Sequence, residues 1–135
     1  MLTEKEQELI AVGASIAAGC QPCTTFHFRA ARISGASEDE IRQAVSDALC
    51  VRQGATEVMA RLGNQRGAET TAAAGDCENK SLIRELVSMS AAYALNCVTS
   101  FDARLAAARG QGATDDQILA EIHALTATDH PALIS

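Results

Sequence analysis

The sequence predicts an all-α bundle built from two degenerate helical repeats. Three observations carry this: Ala-rich apolar stripes recur at helical spacing, no alternating strand pattern appears, and a shift of 77 residues lays one half of the chain on the other. Apolar residues make up 47% of the chain but aromatics only 3%. The core is therefore one of Ala, Leu, Ile and Val, small side chains that let helices approach closely. A length of 135 residues fits a single domain, 1–135.

Thr3 followed by Glu6 is a capping-box signature, and Leu2, Leu9, Ile10, Val12 and Ile16 form an apolar stripe running to about Ala18, where Gly19 stops the helix. Pro22 has no amide hydrogen and belongs in a first turn. The second helix therefore opens at Cys20-Gln21-Pro22-Cys23 and continues through Phe26, Ala30 and Ile33 toward Gly35. Gly35-Ala36-Ser37 followed by Glu38, Asp39 and Glu40 reads as a C-cap and then an N-cap. The third helix, with Ile41, Ala44, Val45 and Ala48 inward, is expected to reach about Gln53. Ala55 to Leu62 is expected as a separate short helix, and 63–79 as a loop or linker. Ser81 to Leu95, Val98 to Ala108 and Thr114 to Leu125 complete the set.

Repeat one covers about 3–66 and repeat two about 80–130. The 77-residue shift lays Gly35-Ala36-Ser37 on Gly112-Ala113-Thr114, Glu8 on Glu85 and Cys20 on Cys97, but it puts Ser100 in place of Cys23 and Arg104 in place of His27. One half is expected to carry chemistry and the other architecture.

Cys20, Cys23 and His27 stand at i, i+3 and i+7 and share one face of the second helix and its entry turn. Cys23 falls in the first turn, where unbonded amides and the positive end of the helix dipole stabilise a thiolate. Cys20, just before the helix, has the backbone freedom to bring its sulfur to Cys23. Glu8 is twelve residues upstream, about 18 Å along an unbroken helix. It meets Cys20 only if the chain turns near Gly19, and the break expected there permits this. A carboxylate facing the imidazole would hold its tautomer and complete a proton relay to the thiols.

Glu8, Cys20, Cys23 and His27 resemble, at every spacing, the signature of the AhpD-like alkylhydroperoxidases within the carboxymuconolactone decarboxylase superfamily: Glu, eleven residues, CxxC, three residues, His. The resemblance implies an AhpD-like helical bundle and a thiol-dependent peroxidase or disulfide oxidoreductase of peroxiredoxin type that reduces alkyl hydroperoxides. It implies that Cys23 is the thiolate that becomes a sulfenic acid, that Cys20 resolves it to a disulfide, and that a dithiol reductant, protein or lipoyl-type, restores the pair. His27 and Glu8 would relay protons. No cofactor or metal is implied, and the resemblance favours a homo-oligomer in multiples of three, a trimer or a hexamer.

Two other function classes keep the same residues in view. One is a redox sensor, or a small-molecule-binding relative of the carboxymuconolactone decarboxylases, without peroxidase turnover. The other is a zinc site on Cys20, Cys23, His27 and Glu8, although structural zinc sites draw two ligand pairs from separate loops. Cys50 and Cys97 read as small core residues and Cys77 as a loop thiol. His123 reads as structural, His130 as part of a surface tail, and Arg29 and Arg32 as solvated helix charges.

The formal charge of −6 and a pI near 4.9, with Lys and Arg scattered, argue against nucleic acid. No stretch approaches the length of a membrane span, and the acidic N-terminus is unlike a secretory signal, so a cytoplasmic location is expected. Five cysteines are an odd number for a disulfide framework and fit reduced thiols with one working pair. A core poor in aromatics buries less area per residue, which also favours a homo-oligomer.

Overall fold

The computed structural model describes residues 2–63 and 81–127, with side chains as far as 122. Residues 64–79 of the expected linker, with Cys77, and His130 lie outside the described residues, as does the side chain of His123. Six α-helices and no strands occur among the described residues: α1 Glu4–Ala18, α2 Gln21–Ile33, α3 Glu38–Gly63, α4 Leu82–Ala94, α5 Val98–Gly110 and α6 Asp115–Ala127. The all-α expectation is met.

The caps follow the sequence signals. Thr3 and Glu6 exchange bonds at 2.9 and 3.1 Å, Ser37 and Glu40 do the same at 2.9 and 3.1 Å, and Thr114 and Gln117 at 3.0 and 3.2 Å. Each reciprocal pair satisfies amide donors that the first helical turn leaves unbonded.

The expected break after Gln53 is absent, and α3 runs unbroken to Gly63. Gly54 costs the helix about 1 kcal/mol relative to Ala. Gly54, Ala55 and Val58 are all buried, however, so the core-facing stripe begun by Ala48 and Val51 continues past the glycine. Burial of that stripe outweighs the local propensity.

α4 is the centre of the bundle. Every residue from Glu85 to Ala92 is buried, because α1, α3, α5 and α6 all pack around it. Its closest approach is to α1: a Cβ at Gly13 would come within 2.7 Å of Val87 Cγ1 and 3.2 Å of the Val87 carbonyl. Beside this contact, Ser90 Oγ donates to the Ile10 carbonyl at 3.0 Å. α3 is tied to α4 by Asp47, a buried carboxylate that accepts from Gln43 Nε2 at 3.0 Å and from Arg84 Nη2 at 3.0 Å.

Candidate active site

α1 and α2 meet at a tight corner, and that corner builds the site. Gly19 adopts the left-handed conformation, φ 71°, which closes α1 and reverses the chain. Cys20 then serves as N-cap of α2, with its carbonyl accepting from Thr24 N–H at 3.0 Å and its Sγ facing the Cys23 amide at 3.3 Å. Pro22 occupies the first turn, where its missing N–H costs nothing.

The two sulfurs are bonded as a Cys20–Cys23 disulfide across a Cα–Cα distance of 5.3 Å. Cys20 is half-buried, whereas Cys23 is only 3% exposed. Cys20 is therefore the more accessible sulfur of the pair, and Cys23 lies in the first turn of α2.

The turn at Gly19 also brings Glu8 to His27, with Nδ1 at 2.8 Å from Glu8 Oε1. His27 is 2% exposed and sits one turn beyond Cys23 on the same buried face. An imidazole that donates from Nδ1 to a carboxylate carries its acceptor lone pair on Nε2. Phe26 packs edge-on against the imidazole, centroids 5.1 Å apart, and fixes the plane of the ring. The structure thus brings the four residues singled out from the sequence together in two pairs on α1 and α2, Cys20 with Cys23 and Glu8 with His27.

The second half repeats the arrangement with different chemistry. Asn96, φ 55°, turns the chain as Gly19 does, and Cys97 stands at the N-cap of α5 as Cys20 does of α2, but without a side-chain bond to the first turn. Cys97 is a free thiol whose Sγ lies 3.2 Å from Ser100 Oγ. Where Glu8 meets His27, Glu85 accepts from Arg104 Nη1 at 2.9 and 3.2 Å, both residues fully buried. A guanidinium, which donates and does not accept, thus stands where the first half has an imidazole.

Two cysteine expectations change. Cys50, read as a core thiol, is half-buried against Ala48 and Val51 and is disulfide-bonded. Cys97 sits at a helix entrance and not within a core-facing stripe. Arg29 is exposed, and Arg32 pairs with Glu38 at 2.8 Å on the surface.

Three contributors were not read from the sequence. Thr24 and Arg52 hold the Gly19–Cys20 corner from α2 and α3. Glu121, 1% exposed in α6, has neither carboxyl oxygen hydrogen-bonded, and burial pushes its carboxyl well above the ordinary range. The spacing of Ile118, Glu121 and Ile122 already places Glu121 on the inward stripe. Nothing local announces Arg52, which lies 35 residues from its partner Ala17.

Among the described residues no cluster of three or more His, Cys, Asp or Glu side chains is arranged to hold a metal ion, and no helix is long and apolar enough to cross a membrane. No curated protein and no solved structure matches the chain. The family model of the carboxymuconolactone decarboxylase family matches residues 1–62. That segment spans α1, α2 and nearly all of α3, and with them Glu8, Cys20, Cys23 and His27. Over residues 1–62 the chain is thus similar to the carboxymuconolactone decarboxylase family, on an all-α fold.

Proposed function

We propose that the chain is a thiol-dependent peroxidase that reduces alkyl hydroperoxides through Cys20 and Cys23. The observation that carries this reading is a disulfide-forming pair at a helix N-terminus beside a buried imidazole held 2.8 Å from a carboxylate.

In the reduced protein His27 Nε2 takes the Cys23 proton, and the α2 N-terminus stabilises the thiolate. The thiolate attacks the peroxide's terminal oxygen, the O–O bond breaks, and the alkoxide leaves with the proton from His27 as an alcohol. Cys23 is now a sulfenic acid. The Cys20 thiol attacks the sulfenic sulfur, forming the disulfide and releasing water. A dithiol reductant, protein or lipoyl-type, then attacks Cys20, the more exposed sulfur. It leaves as its own disulfide, and two protons return to the pair. Glu8 keeps the imidazole in the Nδ1–H tautomer throughout. The second repeat, 80–130, serves as scaffold to the first, and the protein works in the cytoplasm as a homo-oligomer, a reading supported by the exposed side chains of Phe26, Ile33 and Met59.

The test is stoichiometric. One equivalent of cumene hydroperoxide added to the reduced chain yields one equivalent of alcohol and one Cys20–Cys23 disulfide. Cys23→Ser yields neither, and His27→Ala reacts about a hundredfold more slowly. Thiols that stay reduced in excess peroxide would refute the peroxidase reading. A disulfide that forms but cannot be turned over by dihydrolipoamide would point to a redox sensor.

A further inference from the structure

The corner that presents Cys20 is held from three helices. From α1, the Ser15 carbonyl accepts the Cys20 N–H at 3.1 Å. From α2, Thr24 Oγ1 donates to the Cys20 carbonyl at 2.8 Å. From α3, Arg52 Nη1 donates to the Ile16 and Ala17 carbonyls at 3.2 and 2.9 Å. The same guanidinium lies against Gly19, where a Cβ would come within 3.1 Å of Nη1.

The other half provides an internal control. Asn96 occupies the place of Gly19, with φ 55° against 71°. The hydrogen bonds around it match: Asn96 N–H to Tyr93 and Cys97 N–H to Ala92, as Gly19 to Ile16 and Cys20 to Ser15. Asn is among the few residues that tolerate left-handed backbone, so this turn alone does not demand glycine. At position 19 a guanidinium rests on the turn, where only a residue without a Cβ leaves it ordinary contact distance.

We propose that Arg52 is a positioning residue for the dithiol. It fastens the end of α1 to α3, fixes the Gly19–Cys20 turn, and so holds the Cys20 sulfur within bonding range of Cys23. Limiting the freedom of one thiol relative to the other raises their effective concentration and favours the closed disulfide over the open dithiol. This inference needs the pair to be redox-active, as proposed above, but not that its oxidant is a peroxide.

The test is a redox equilibrium. The full chain is equilibrated with mixtures of reduced and oxidised dithiothreitol, where two electrons and two protons pass between the pairs. The fraction of Cys20–Cys23 disulfide is read by alkylation and peptide mass, at a temperature where circular dichroism shows every variant folded. Arg52→Met shifts the equilibrium toward dithiol by about three- to tenfold. Gly19→Asn, which lets the turn form but displaces the guanidinium, shifts it similarly. The double variant goes no further, because both changes break one contact. Arg52→Lys, which keeps a donor and a charge, stays within about twofold of wild type. A constant unchanged in Arg52→Met, with only a lowered Tm, would overturn the proposal by reducing Arg52 to a structural clamp. If the wild-type pair does not exchange with dithiothreitol at all, the redox reading itself falls.

Discussion

Glu8 and Glu121 are both carboxylates on inward-facing helical positions, but they are satisfied differently. Glu8 reaches an imidazole at 2.8 Å, whereas both oxygens of Glu121 are buried without a hydrogen bond. Burial raises the Glu121 carboxyl above its ordinary 4.5, so the folded chain keeps a proton that the unfolded chain has released. The associated stability is fully present below about 4.5 and is lost as pH rises through the folded value. Urea unfolding followed from pH 5 to 8 should therefore show falling stability in wild type and a flatter profile in Glu121→Gln. Glu121→Leu should gain about 1–3 kcal/mol at pH 7 by replacing an unpartnered polar group with an apolar one. An equal slope in the Gln variant would remove Glu121 as its cause. At this scale Cys20, Cys23 and His27 stood out because Cys and His are rare and their spacing is local, and Gly19 signalled the turn after which Glu8 meets His27. Arg52 was not, since an arginine's role depends on where a separate helix places it.

Between elements, the contact of α1 with α4 is the least tolerant of added volume. Ala at position 13 would gain about 1 kcal/mol of helix propensity. Its Cβ, however, would meet Val87 Cγ1 at 2.7 Å and the Val87 carbonyl at 3.2 Å, and Val87 is itself buried and stiff at χ1. Overpacking of this kind costs about 1–3 kcal/mol, so Gly13→Ala should be destabilising overall, measured by urea midpoint. Val87→Ala in the same chain should recover part of the loss; additive costs would show that the contact is not the cause. Helix starts were legible in the sequence because caps are written in neighbouring residues, as at Thr3 and Glu6. The length of α3 was not, because Gly54 looks like a stop when the burial of Gly54, Ala55 and Val58 is unknown.

Across the whole molecule, the packing extends beyond the matched segment. Residues 1–62 match the family model, yet the inner faces of α1 and α3 are both covered by α4, which lies outside that segment. A fragment ending at Gly63 should therefore expose Leu9, Ile10 and Val12 and fail to show a cooperative thermal transition by circular dichroism, while the full chain unfolds in one step. A cooperative transition in the fragment would mean that the first half folds without its neighbour. The likeness between the halves was visible in sequence as a 77-residue shift; that α4 stands at the centre was not, since helical periodicity says which face is apolar but not how many partners surround it.

The disulfide links residues only three apart, at an outer corner of the bundle, whereas the helices are held by the contact of Gly13 with Val87 and by the clamp of Asp47 with Arg84. The bond is a latch and not a beam. Opening it would free one side chain and no long stretch of chain, so the load-carrying timbers of the frame would stay where they are.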